Sequence, residues 1–200
     1  MRYADVIECV PEPCQVLGTP LRPFSLGHHL LFKRLALPFE RGPLEECSRD
    51  DLIMGVAVCA APYSETLAEI LDGSYARTVE AWMRGVRGPW WRRRRVDWPE
   101  AETLFRLHLA RGYRKPPVWR HRTEGGLAIT APEECLLKGV LVRNGFSESE
   151  VLEGYLPARW YDYWTVTELE KAERCSDAKR WTRTFYTSED AEAMASIRKN

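Results

Sequence analysis

Hydrophobic residues recur along most of this chain at helical spacing, in stripes that repeat every three or four residues. From Tyr75 to Val86, apolar residues fall at i, i+4, i+7, i+8 and i+11, which places them on one face of a helix. Residues 52–61 are apolar on nearly every side, as a helix at the centre of a small bundle must be. The pattern predicts a mainly α fold: a compact helical bundle of short helices with a long irregular loop and few short strands.

Capping and helix-breaking residues set the boundaries of the predicted helices. Serines precede several apolar stretches, and a serine hydroxyl can accept a hydrogen bond from a free backbone N–H of the first turn. We expect N-caps at Ser25, Ser48, Ser64 and Ser147. Prolines and glycines end the stretches that follow. The predicted helices cover, in chain order, residues 26–37, 48–61, 64–71, 75–86, 98–112, 132–143, 148–155 and 158–174.

The stretches outside these helices are irregular. Residues 1–23 contain four prolines, which predict an extended arm with a short strand. Residues 112–131 combine prolines with a pair of glycines and predict a long loop that can hold short strands. Residues 187–200 are expected to form a tail. Because 200 residues suffice for one good core, we expect residues 1–200 to form a single mostly helical domain.

The charges are segregated although the formal net charge of the whole chain is zero. Twelve Lys/Arg but only three Asp/Glu lie between Arg84 and Arg122. The centre of this basic strip, residues 90–95, reads Trp-Trp-Arg-Arg-Arg-Arg. Clustered cations beside planar side chains can hold phosphates and stack bases. Alternatively, the tryptophans anchor a loop in the core while the arginines bond helix C-termini and the chain's own acids, and the neutral total favours this second interpretation.

Eight tryptophans are more than a small helical core easily absorbs. Tryptophan and arginine are favoured anchors at protein interfaces, although core packing also explains most of the tryptophans. The candidate partner-binding residues are Trp90, Trp91, Arg92, Arg93, Arg94, Arg95, Trp119, Trp160 and Trp164.

No pattern in the sequence predicts a catalytic, cofactor-binding or metal site. His28 and His29 are adjacent on a predicted helix, where side chains point about 100° apart, so both cannot face one metal. His108 and His121 have no serine or cysteine nucleophile in a recognisable context. The six cysteines lack the short spacing of local zinc ligands. We expect free thiols and a protein that is not an enzyme.

The first residues, 1–8, carry acids where a secretory signal would carry an apolar core. No stretch approaches the roughly 18 apolar residues that span a bilayer. We therefore expect a cytosolic protein with no membrane partner.

Two stretches of the chain resemble a known family. In the first, residues 17–61, the matching pieces are Leu21-Arg22-Pro23-Phe24-Ser25-Leu26-Gly27-His28-His29-Leu30-Leu31, Pro38-Phe39 and Asp51-Leu52. In the second, residues 132–174, they are Pro132, Gly145-Phe146-Ser147-Glu148-Ser149-Glu150-Val151-Leu152-Glu153, Leu156-Pro157-Ala158 and Trp160. These patterns resemble tail assembly chaperones and related small proteins encoded in bacteriophage tail gene clusters. The tetra-arginine strip and the tryptophan-rich loop depart from the family pattern.

The resemblance implies a mostly helical, non-enzymatic protein of the bacterial host cytoplasm. Such a protein holds the long tape-measure protein and helps to recruit tail-tube subunits. The family pattern carries no catalytic residues to this chain. This function would require an exposed apolar groove beside the core helices. The sequence leaves open whether copies associate as a homo-oligomer, and whether the Arg92–Arg95 strip binds nucleic acid instead.

Overall fold

The computed structural model describes residues 10–87, 96–114 and 132–174, without the side chains of residues 87 and 168–174. Within these ranges the chain forms eight α-helices, one two-stranded hairpin and one 3-10 turn, Pro38–Glu40. The mainly α fold predicted from the sequence is confirmed. The strands are β1 (Cys14–Val16) and β2 (Thr19–Leu21). The helices are α1 (Leu26–Arg34), α2 (Arg49–Ala60), α3 (Tyr63–Asp72), α4 (Tyr75–Arg87), α5 (Trp98–Gly112), α6 (Glu133–Arg143), α7 (Glu148–Glu153) and α8 (Leu156–Arg174).

One cluster of buried side chains joins the hairpin to nearly all of the helices. Its centre is a series of four fully buried phenylalanines, Phe24, Phe32, Phe39 and Phe105. The ring centroids of successive members lie 5.6, 5.8 and 5.1 Å apart. Aromatic pairs at such distances contribute to stability beyond the area that they bury. The series therefore ties α1, the 3-10 turn and α5 into one core.

Helix α2 approaches this aromatic series closely because residue 55 is a glycine. A Cβ placed at Gly55 would lie 2.8 Å from the Phe105 ring and 2.9 Å from the Phe39 ring, closer than carbon atoms can pack. Two other helical glycines have the same role. A Cβ at Gly27 or at Gly112 would lie 2.5 Å from an aromatic side chain, that of Tyr63 or Phe24.

Three of the four predicted serine caps are present. Ser25, Ser48 and Ser147 each accept a hydrogen bond from the third residue of their helix. In each case the side chain of that third residue accepts a hydrogen bond in return from the backbone N–H of the serine. At Ser25 the returning acceptor is Nδ1 of His28, an unusual member of a capping box. Local sequence therefore determines where these helices begin.

The prediction of an N-cap at Ser64 is wrong, because α3 begins at Tyr63 and has Pro62 at its N-cap position. A carboxylate from another helix caps it instead. Oε2 of Glu153 accepts from the Tyr63 N–H at 3.1 Å, and Oε1 accepts from the Ser64 N–H at 3.0 Å. Glu153 lies in α7, some 90 residues later, so no local pattern could indicate the contact. This contact joins α3 to α7.

Other boundaries differ by a few residues. Helix α1 ends at Arg34, short of the predicted Leu37, because Ala36 adopts a left-handed φ of +52°. Helix α7 ends at Glu153, two residues before its predicted end, and α8 begins at Leu156, two residues before its predicted start. A short non-helical link separates the two helices. The extended arm carries the β1–β2 hairpin, and its described part packs on the bundle. The Arg22 N–H donates to the Cys59 carbonyl at 2.8 Å. Most of residues 112–131 and all of residues 187–200 lie outside the described residues.

Replacing Gly55 with alanine tests the close approach of α2. We expect Gly55→Ala to lower the free energy of unfolding by about 1–3 kcal/mol, because the two rings cannot both move aside without strain. Gly139→Ala is the matched control in α6, where a Cβ would meet nothing within 4 Å. There, alanine should raise the free energy of unfolding by about 0.5–1 kcal/mol through helix propensity. Urea denaturation measures the free energy of unfolding of both variants. Equal changes in the two variants would contradict the argument that Gly55 is needed for close packing.

Replacing Glu153 with glutamine tests the cap that joins α3 to α7. Partial burial raises the pKa of Glu153, but hydrogen bonds from the backbone of Ser64 and Tyr63 outweigh it and lower the pKa. The carboxylate therefore stabilises the fold above its ordinary pKa near 4.5, and this contribution is lost as pH falls through the lower folded value.

At neutral pH, Glu153→Gln should lower the free energy of unfolding by about 1–2 kcal/mol, since an amide presents one acceptor to two donors. Glu45→Gln, at an exposed loop position, is the control. Urea denaturation at pH 7 gives the comparison. A loss no larger than that of the control would show that the two backbone N–H groups do not need the carboxylate.

Candidate functional site

An open groove of about 470 Å³ runs between α2 and α4. It lies beside α2, the apolar helix predicted to be central to the core. Its volume is within the range of about 300–1,000 Å³ that is common for binding pockets. The residues that line it are Asp50, Ile53, Met54, Ala76, Val79, Glu80, Met83 and Arg84.

The walls of the groove are mainly apolar. Ile53 and Met54, on α2, are half-buried, whereas Val79 and Met83, on α4, are buried. Val79 and Met83 belong to the stripe that predicts the helix at residues 75–86, so part of that stripe faces the groove. Methionine side chains are flexible and polarizable, which lets them adapt to partners of different shape. Such walls suit a protein partner better than a small polar ligand.

Charged groups occupy the rim. Asp50 and Glu80 contribute one carboxylate from each wall, and both residues are exposed. Arg84 is the cationic lining residue, and its Nε donates to the Glu80 carbonyl at 3.4 Å. The lining residues together therefore carry one net negative charge.

No protein-family model, curated protein or solved structure matches this chain.

Two absences apply to the described ranges only. None of the α-helices there is long and apolar enough to cross a membrane. No three His, Cys, Asp or Glu residues there are grouped so that they could hold a metal ion.

Trp160 and Trp164, the described tryptophans of the predicted partner-binding set, do not line the groove. Trp160 is only 7% exposed and lies in the core cluster, with its ring edge-on to Tyr163 at 5.8 Å. Trp164 is half-buried and stacks edge-on against the same tyrosine at 5.4 Å. The other predicted anchors lie outside the described residues, namely Trp90, Trp91, Arg92, Arg93, Arg94, Arg95 and Trp119. The role of this whole set in binding stays a prediction.

Some arginines of the basic strip are described, and two of them are paired within the protein. Arg106 contacts Glu102 at 2.7 Å, and its Nη1 also donates to the Pro43 carbonyl at 2.6 Å. Arg111 contacts Glu12 at 2.7 Å. Both of these arginines lie on α5, whereas Arg92–Arg95, the arginines to which the two interpretations apply, lie outside the described residues.

A second polar cluster lies around His29. The ring Nε2 lies 2.9 Å from Oε1 of Glu134, and Nδ1 lies 2.9 Å from the Tyr113 hydroxyl. That hydroxyl also donates to the Phe39 carbonyl at 2.8 Å. Lys33 donates to the same Glu134 oxygen at 2.7 Å. The carboxylate of Glu134 therefore joins α6 to α1.

The electrostatics of this cluster follow from burial and pairing. Partial burial raises the pKa of Glu134, but hydrogen bonds from Lys33 and His29 outweigh it and hold the pKa at about 2. Burial lowers the pKa of His29, and Glu134 opposes that shift. In neutral His29, Nε2 carries the proton and donates a hydrogen bond to the Glu134 carboxylate. The single Tyr113 hydroxyl proton then serves two acceptors, Nδ1 and the Phe39 carbonyl, so the cluster bridges segments of the fold.

His28 and His108 are buried in the aromatic core. Nδ1 of His28 accepts from the Ser25 N–H, so its Nε2 carries the proton and donates to the Ala61 carbonyl at 3.0 Å. Nε2 of His108 is buried without a hydrogen-bond partner. Burial lowers the pKa of each imidazole to about 4. Both ring nitrogens of His28, and both of His29, are thus hydrogen-bonded within the fold.

The two buried histidines predict a specific acid sensitivity. The unfolded chain protonates them near pH 6.5, whereas the folded protein resists protonation down to about pH 4. Because the unfolded state binds more protons in this window, the free energy of unfolding should fall as pH drops from 6.5 to 4. The expected loss is about 3 kcal/mol for each histidine.

Replacement of His108 with phenylalanine separates its contribution from that of His28. Urea denaturation at several pH values between 7 and 4.5 gives the slope of the free energy of unfolding against pH. In the His108→Phe variant this slope should be smaller, by an amount equivalent to close to one proton. An unchanged slope would mean that His108 titrates normally in the folded protein. His121→Phe provides the control, because the sequence places this histidine in the predicted loop.

Proposed function

We propose that the protein is a non-enzymatic binding module that holds an apolar helical segment of a longer protein in the groove between α2 and α4. The observation that supports this most is the pair of apolar walls, with Met54 on one side and Met83 on the other. Sequence reasoning required a groove of this kind beside the core helices, without naming its residues. A partner can reach it directly because the groove is open to solvent.

The shape of the groove favours a helix as its occupant. One wall of the groove comes from α2 and the other from α4, so its occupant lies against two helices at once. On α4 the lining extends from Ala76 to Arg84, which is about 12 Å at the helical rise of 1.5 Å per residue. That length is enough for residues i and i+7 of an incoming helix, which are about 10.5 Å apart. Such a helix can insert its ridge of side chains between two others.

The partner we propose is a long, helix-rich phage tail protein of the tape-measure type. This assignment rests on the sequence resemblance to tail assembly chaperones, together with the groove. It places the protein in the bacterial host cytoplasm during tail assembly, in contact with tape-measure and tail-tube proteins. Nucleic acid is the alternative partner, through the Arg92–Arg95 strip.

Replacing the exposed parts of the groove wall tests this function. We expect the double variant Ile53→Gln/Met54→Gln to lose its partner, because two amides make the apolar wall polar and costly to desolvate. The measurement is affinity capture from phage-producing host cells, with and without nuclease and at two salt concentrations, with the captured proteins identified. A long tail protein should be retained by the unaltered protein despite nuclease and salt, and retention by the double variant should fall at least tenfold.

Leu107→Gln is the matched control, because Leu107 is a 46% exposed apolar residue on α5. It should retain the partner fully. Circular dichroism verifies that all the variants are folded. Loss of every captured protein on nuclease treatment would reject the tail-chaperone function and favour nucleic acid. Equal retention by the double variant and the unaltered protein would place the binding surface away from the groove.

A further inference from the structure

The rim of the groove carries charge as well as apolar walls, and this restricts the partner. We infer that the helix accepted by the α2–α4 groove carries a lysine or arginine beside its apolar anchors, placed to pair with Asp50 or Glu80 at the rim. This inference rests on the proposed function and specifies its ligand: an amphipathic, cationic helix of another protein. The basic residue and the apolar anchors bind together.

The two carboxylates are available for such a contact. Asp50 lies in the first turn of α2, where the helix dipole favours an acidic side chain, and Glu80 lies midway along α4. Both side chains are exposed, and within the described part of the chain neither has a hydrogen bond or an ion pair. This differs from other acids of the protein. Asp51, Glu134 and Glu153 all accept hydrogen bonds that stabilise the fold.

The arrangement of charges favours a cation over an anion. Asp50 and Glu80 each present an exposed carboxylate at the rim, one from each wall, so a cationic side chain at the rim can pair with one of them. Arg84 offsets one of the two charges and leaves the lining with one net negative charge. An acidic helix would place its carboxylates against two others, which costs free energy at an interface. A purely apolar helix would leave both carboxylates partly desolvated without a partner.

Helical spacing then specifies the ligand further. An occupant with anchors at i, i+4 and i+7 covers the apolar length of the groove with one face. A lysine adjacent to that face, at a flanking position, can extend its ammonium to the rim while its aliphatic stem covers the methionines. The ligand class is therefore a short cationic amphipathic helix.

A peptide selection on the full-length protein tests the inference. The probe is a displayed library of 18-residue helical peptides with leucine or methionine at i, i+4, i+7 and i+11. Lysine, glutamate and glutamine are varied at the flanking positions. We expect the unaltered protein to enrich lysine. Synthetic lysine and glutamate versions of a selected peptide should then differ about tenfold in Kd, with a difference that shrinks as salt is raised.

Charge reversal at the rim supplies the decisive comparison. Asp50→Lys/Glu80→Lys should reverse the preference and favour the glutamate version. Glu45→Lys/Glu46→Lys makes the same change in net charge at exposed loop positions, and it should retain the preference for lysine. A preference reversed equally by both double variants would show that net charge alone acts, and would overturn the inference.

The remaining outcomes separate this inference from the proposed function. Peptides that need Ile53 and Met54 but show no charge preference would overturn the cationic ligand and leave the groove as a binding site. If no selected peptide loses affinity in Ile53→Gln/Met54→Gln, the proposed function fails and the inference fails with it. Self-association that is lost in that same variant would identify a second copy of this chain as the occupant, and would also overturn the inference.

Discussion

The contact of α2 with the buried phenylalanine rings is the constraint on which the rest of the structure depends. Gly55 lets Phe39 and Phe105 lie against the backbone of the helix, at distances that any larger residue would prevent. These rings in turn continue through Phe32 to Phe24, which joins the hairpin side of the molecule to α1. One face of α2 is therefore fixed by aromatic packing, and its orientation in the bundle follows from that contact.

The groove is a consequence of this orientation. With Gly55 and Val56 turned to the core, neighbouring Ile53 and Met54 lie at the side of α2 that faces α4. Helix α4 is itself held by another contact, because Nε1 of Trp82 donates to Oγ1 of Thr19 in β2 at 3.0 Å. The two helices also pack against each other, and apolar surface remains open beside that contact. An open apolar surface of this kind in a well-packed protein favours a role in binding.

The sequence predicts the features that depend on near neighbours. Serine caps at Ser25, Ser48 and Ser147 act over three residues, so composition and spacing suffice to find them. The contacts that sequence reasoning missed join distant residues. Glu153 caps a helix that begins 90 residues earlier, and Glu134 pairs with a lysine 101 residues earlier. The sequence also does not predict which residues line the groove, because a helix that is apolar nearly all round does not reveal which side faces a neighbour.

His28 and His29 differ from Asp50 and Glu80 in that their polar atoms are hydrogen-bonded within the fold. Both ring nitrogens of His28 are held by backbone groups, and those of His29 by Tyr113 and Glu134. Their hydrogen bonds stabilise the ends and crossings of helices, so neither ring can approach a ligand unless those contacts break. Asp50 and Glu80 are used by no such contact within the described ranges, and they flank an apolar surface. Charge that the fold does not use, placed beside such a surface, is the feature on which the proposed recognition of a partner rests.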